Sequence, residues 1–77
     1  MTYIDVILLE STKRVYTYIL PEYLSVNIGD YVIVPVREKT TFKLAEVIRS
    51  EKKRPANIEY KPILMKVNKQ LVEEYMK

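Results

Sequence analysis

Ten of the thirteen lysines and arginines in this 77-residue chain fall between Arg37 and Lys69. With four carboxylates among them, that stretch carries +6, whereas Met1 to Val36 carries −2. A basic segment on an otherwise balanced chain fits an anionic partner, of which nucleic acid is the commonest. Its densest run is Lys52-Lys53-Arg54, with Arg49 just upstream. That run can track phosphates, or it can simply keep a loop in water, because its signs are interleaved with acids. On charge alone both readings stay open.

Other chemistry is hard to assemble. The chain has no cysteine, so it offers neither disulfides nor thiolates, and no histidine, the commonest general base and metal ligand. Catalysis would have to rest on carboxylates, lysines or tyrosines on a surface too small for a deep pocket. Glu73-Glu74 reads as the exposed face of a terminal helix, and one glycine is too few for a phosphate-cradling loop. The expectation is a non-enzyme with no metal, no cofactor and no small-molecule substrate. The apolar run Val6 to Leu9 is too short for an export signal and follows Asp5 rather than a basic region. No stretch approaches the roughly 20 apolar residues that a membrane helix needs. A soluble, cytoplasmic protein of one domain, residues 1–77, is the default.

The elements that must position any site are short and heavily punctuated. Tyr3 to Leu9 reads as strand one, and Glu10 to Lys13 as a polar turn. Val15 to Leu20 is strand two, with Tyr16, Tyr18 and Leu20 on one face and Val15, Thr17 and Ile19 on the other. Pro21 ends it, having no amide proton for a ladder. Gly29, the only glycine, precedes Asp30 in a turn that calls for positive φ. Strand three runs from Tyr31 to Val36, Arg37 to Thr40 forms a hairpin loop, and strand four covers about Thr41 to Ser50. The uneven alternation Leu44-Ala45, then Val47-Ile48, predicts a bulge or strong barrel curvature. Strand five lies within Ile58 to Val67, interrupted early by Pro62. Asn68 then caps a short helix with Leu71, Val72 and Tyr75 at helical spacing. The pattern predicts an all-β fold, a small OB-like antiparallel barrel of five or six strands with a short C-terminal helix.

The order of these pieces resembles the N-terminal DNA-binding domain of the primosomal replication-restart helicase PriA. In that family an aromatic-x-Tyr-hydrophobic-hydrophobic-Pro-Glu run precedes a Val-x-x-Gly-x-x-Val-x-Val-Pro run. Here these read Tyr16, Tyr18, Ile19, Leu20, Pro21 and Glu22, then Val26, Gly29, Val32, Val34 and Pro35. Tyr60 to Asn68, YKPILMKVN, is similar to the family's last strand. The resemblance covers about Ile4 to Val67, and no helicase motif accompanies it.

The resemblance implies a pocket for the 3′ end of a DNA strand. Tyr16 would stack on the terminal base and Lys61 would contact phosphate, while Tyr18 belongs to the core. The bland reading of both tyrosines is half-buried sheet residues. Two positions depart from the family pattern. Thr17 stands where the family has an aspartate, and Arg37 where it has a glycine. Thr17 is a neutral acceptor and Arg37 a phosphate donor that narrows the space. Binding that discriminates poorly between a 3′-hydroxyl and a 3′-phosphate is therefore expected.

Two functions follow. One is a non-catalytic module binding forked or 3′-ended DNA in replication restart, with Tyr16, Thr17, Arg37, Lys52, Lys53, Arg54 and Lys61 as its contact residues. The other is a protein-interaction barrel that engages a replication or mobile-element protein through its exposed edge and basic loop, without DNA binding.

Overall fold

The computed structural model describes residues 1–9, 14–36, 38–54 and 56–75, with the backbone alone for 38–40. Five strands and a helix follow in order: β1 (Thr2–Leu8), β2 (Val15–Leu20), β3 (Tyr31–Val36), β4 (Glu38–Glu51), β5 (Met65–Val67) and α1 (Lys69–Tyr75). The strands form one antiparallel sheet in the order β2-β1-β4-β3-β5. This is the all-β architecture with a C-terminal helix that the sequence predicts.

The segment before β5 brings the two edges of the sheet together. Ile19 on β2 donates its N–H to the Lys61 carbonyl at 2.8 Å and accepts from the Ile63 N–H at 3.1 Å. The result is a parallel bridge centred on Pro62. Such a bridge uses the carbonyl before its central residue and the amide after it, so the N–H that proline lacks is not needed. The Leu64 N–H then donates to the Ile33 carbonyl at 2.8 Å, and β5 pairs with β3. Residues 61–67 thus reach from the β2 edge to the β3 edge, and the sheet curls into a barrel-like body.

Period-two patterning fills its interior. Ile4, Val6 and Leu8 from β1, Tyr18 from β2, Val32 and Val34 from β3, Ala45 and Val47 from β4, and Ile63 form one core. Burying these β-branched and aliphatic side chains is the main stabilising contribution in so small a chain. Tyr3 is buried on the opposite face of β1, where its ring meets Tyr60 edge-on at 5.4 Å between centroids.

The bulge lies where the broken alternation predicts it. Pairing of β1 with β4 passes from Asp5↔Arg49 to Val6↔Val47, which leaves Ile48 as the extra residue. Strict alternation from Val47 would aim Arg49 inward. The bulge turns it out instead, beside Asp5.

Gly29 has φ of 96°, as the turn requires. Its N–H donates to the Val47 carbonyl at 2.8 Å, and the Asp30 carboxylate accepts from the Asn27 N–H at 2.7 Å. Asn68 caps α1, its side-chain oxygen accepting from the N–H groups of Gln70 at 2.9 Å and Leu71 at 3.4 Å.

One expectation needs correction. β4 begins at Glu38, not near Thr41, so residues 38–40 extend a strand rather than form a hairpin loop. Val36 pairs with Glu38 after a register shift, so the ladder between β3 and β4 continues past Thr41. The fifth strand does lie within Ile58 to Val67, as Met65–Val67 with an isolated bridge at Pro62, because the residues before it cross between edges. The short C-terminal helix is present as predicted, with Val72 buried and Leu71 and Tyr75 exposed.

Candidate nucleic-acid interface

The edge of β2 is where three of the sequence-predicted residues, Tyr16, Thr17 and Lys61, meet. Alternation sends Tyr16 and Tyr18 to the core side, where Tyr18 is buried and Tyr16 packs half-buried against the core. The Tyr18 hydroxyl donates to the Pro35 carbonyl at 2.7 Å. Burial, reinforced by the neighbouring Tyr16 phenol, pushes the Tyr18 pKa above its ordinary 10.0. Tyr18 is therefore core, as expected.

Thr17 faces the other way. Its cross-strand partner is Asp5, and its hydroxyl donates to Asp5 Oδ1 at 2.6 Å. Asp5 Oδ2 lies 3.4 Å from a guanidinium nitrogen of Arg49. One residue from each of β2, β1 and β4 thus forms a polar row across the sheet. The backbone of Thr17 is also informative. Ile19 turns its N–H and C=O away from β1 to the Pro62 bridge, and Thr17, two residues back, turns its own groups to the same side. There, no described strand pairs with them.

Beside this edge lies a wide, open depression of about 900 Å³. Its walls are residues 14–18, Pro35 and Val36 at the end of β3, Thr41 and Lys43 of β4, and the segment 58–61. Tyr16, Thr17 and Lys61, far apart in sequence, therefore line one site. Arg14, Lys43 and Lys61 make its rim basic, with Glu59 the one carboxylate among the described residues of the lining. Among the described residues no cluster of carboxylates could hold a metal ion. No helix among them is long and apolar enough to cross a membrane.

Over residues 5–76 the chain matches a family model described as the 3′DNA-binding domain of PriA. The chain belongs to the PriA 3′DNA-binding domain family. It is thus a DNA-binding domain of the PriA type, tied to replication restart, and DNA is its partner. Neither a curated protein nor a solved structure matches it significantly.

Other predicted contacts of this PriA-type domain are placed differently. Lys52 and Lys53 are exposed but do not line the depression. They follow Glu51, the last residue of β4, which pairs with Tyr3 near the start of β1. Arg54 is engaged within its own loop, a guanidinium N–H donating to the Ile58 carbonyl at 2.7 Å. It holds the turn that leads into residues 58–61, and thereby shapes one wall of the depression. Arg37 lies outside the described residues. Reading the sequence alone misses Arg14, Lys43 and Tyr60 in the lining, and Asp5 behind Thr17. Only Tyr60 carried a local signal, as the neighbour of Lys61.

Proposed function

We propose that this PriA-type domain binds the 3′ end of a DNA strand in the depression along β2, without catalysing a reaction. The observation that carries this reading is the convergence of Tyr16, Thr17 and Lys61 on one basic-rimmed depression. A terminal nucleotide needs an aromatic plane, a hydrogen-bonding partner for its 3′-hydroxyl and cations for its phosphate. Tyr16 offers the plane, and stacking on it is worth about 1–3 kcal/mol whatever the base. Thr17 offers its hydroxyl together with an edge N–H. Lys61, assisted by Arg14, neutralises phosphate, which releases counterions and makes binding salt-dependent.

Lys52 and Lys53 serve the same reading from outside the depression, by neutralising phosphates in the duplex part of a fork. Arg37 joins it on sequence grounds, following Val36, which lines the site. The domain, residues 1–77, works in this proposal on branched or tailed DNA during replication restart, in the cytoplasm, alongside replication proteins.

A second reading has its own support. The uncovered N–H and C=O of Thr17 on the β2 edge could accept an added strand from a replication or mobile-element protein. A comparison of a 3′-tailed fork with a circular single strand separates the two. The 3′-end reading predicts tight binding to the fork and weak competition by the circle, which has no end. Equal competition would reduce the function to end-independent DNA binding. No binding of either at concentrations on the order of tens of micromolar, the non-specific range, would favour the protein partner.

A further inference from the structure

We infer that Asp5 sets the end preference of this site by acting through Thr17; the inference rests on reading the depression as a 3′-end site. Asp5 and Thr17 face each other as a cross-strand pair whose backbone groups point away from one another. In such pairs the side chains approach most closely. The Thr17 hydroxyl donates to Asp5 Oδ1 at 2.6 Å, within the range of about 2.5–2.7 Å for a hydroxyl bound to a carboxylate.

A threonine hydroxyl has one proton and two lone pairs. With the proton committed to Asp5, only lone pairs remain for a ligand, and the carboxylate enriches them. Thr17, which lines the depression, is therefore a polarised acceptor rather than a neutral group of either sense. Asp5 itself does not line the depression, and its side chain is only 17 % exposed. It is a positioning residue, supplying from the next strand a negative charge that Thr17 lacks.

The consequence is chemical selection at the terminus. A free 3′-hydroxyl can donate to Thr17 Oγ1. A 3′-phosphate has acceptors and negative charge to place against lone pairs backed by a carboxylate, and is disfavoured. Arg49 works against this, but its side chain is 62 % exposed and sits 3.4 Å from the far carboxylate oxygen. Solvent screening leaves it able to offset only part of the charge. Poor discrimination is what Thr17 would give alone. With Asp5 behind it, the hydroxyl end is preferred.

The test is the ratio of dissociation constants for one oligonucleotide ending in 3′-phosphate or 3′-hydroxyl, read by fluorescence anisotropy. Partial unfolding weakens both arms equally and leaves the ratio unmoved. The unmodified protein should prefer the hydroxyl by about tenfold. Asp5→Asn should cut that preference by about fivefold, the difference between a charge-assisted and a neutral hydrogen bond. Arg49→Gln, an exposed change that does not threaten folding, should raise the preference. In a Thr17→Val background Asp5→Asn should have no further effect. An unmodified ratio near one, an undiminished ratio in Asp5→Asn, or an equal Asp5→Asn effect without the Thr17 hydroxyl would overturn the inference while leaving DNA binding intact. If Asp5→Asn does not fold, an unchanged ratio in Arg49→Gln overturns it. Failure of the unmodified protein to bind either oligonucleotide would remove the 3′-end reading itself, and the inference with it.

Discussion

Tyr18 donates its hydroxyl to the Pro35 carbonyl at 2.7 Å, joining β2 to β3 although the two are separated in the sheet by β1 and β4. Both residues line the depression, so this bond fixes the distance between two of its walls.

Tyr18→Phe keeps the ring and leaves that carbonyl without its partner. The variant should lose about 0.5–1.5 kcal/mol in urea denaturation, the net contribution of one partly buried hydrogen bond. It should also change the alkaline limb of stability. The Tyr18 pKa is raised in the folded protein, first by burial and then by Tyr16. Its contribution is therefore complete below the ordinary 10.0 and is lost as pH rises through the folded value. Melting midpoints of the unmodified protein should fall more steeply above about pH 10 than those of Tyr18→Phe. Parallel curves would mean the hydroxyl is solvated.

Gly29→Val tests the turn before β3. A Cβ at Gly29 would meet only Lys69 Nζ at 3.7 Å, an ordinary contact, so any cost comes from the backbone at φ of 96°. The expected loss is about 1–3 kcal/mol. An unchanged midpoint would show that the turn relaxes to negative φ without penalty.

The same turn carries an acid-sensitive group. The Asn27 N–H, and after it Lys66, hold the Asp30 carboxyl below its ordinary 3.8 despite an opposing effect of burial. A depressed folded pKa contributes stability that is present above 3.8 and lost as pH falls through the folded value. Asp30→Asn should flatten the decline of stability on acidification below about pH 4. An acid limb identical to that of the unmodified protein would remove Asp30 from the explanation.

Charge on the loop after β4 can be separated from its structural role. Lys52→Gln with Lys53→Gln should lower the slope of log affinity against log salt by about 0.7–0.9 for each phosphate no longer neutralised. Arg54→Gln should instead loosen the turn held by the Ile58 carbonyl and weaken binding with little change in slope. A slope unaltered by the double lysine change would exclude Lys52 and Lys53 from the interface.

Much of this arrangement was legible locally. The alternation of Tyr16 and Tyr18, the positive φ at Gly29, the cap at Asn68 and the bulge at Ile48 each leave a mark within a few residues. The rest depends on pairing between distant segments. Nothing near Thr17 announces that Asp5, twelve residues earlier, will sit opposite it. Tyr60 joins Arg14 and Lys43, which the sheet places, because Ile19 captures the Pro62 segment at the barrel's edge. Arg54 looked like its lysine neighbours because the carbonyl that engages it is a backbone group, invisible in side-chain chemistry.

The central claim is that a DNA 3′ end sits between the β2 edge and residues 58–61. Amide chemical-shift mapping with a short single-stranded oligonucleotide tests it most directly. The account predicts that the largest shifts fall on Tyr16, Thr17, Tyr60 and Lys61, and that the uncovered Thr17 N–H moves more with a free 3′-hydroxyl than with a circular strand. Shifts confined to residues 52–54, with the β2 edge unmoved, would contradict it.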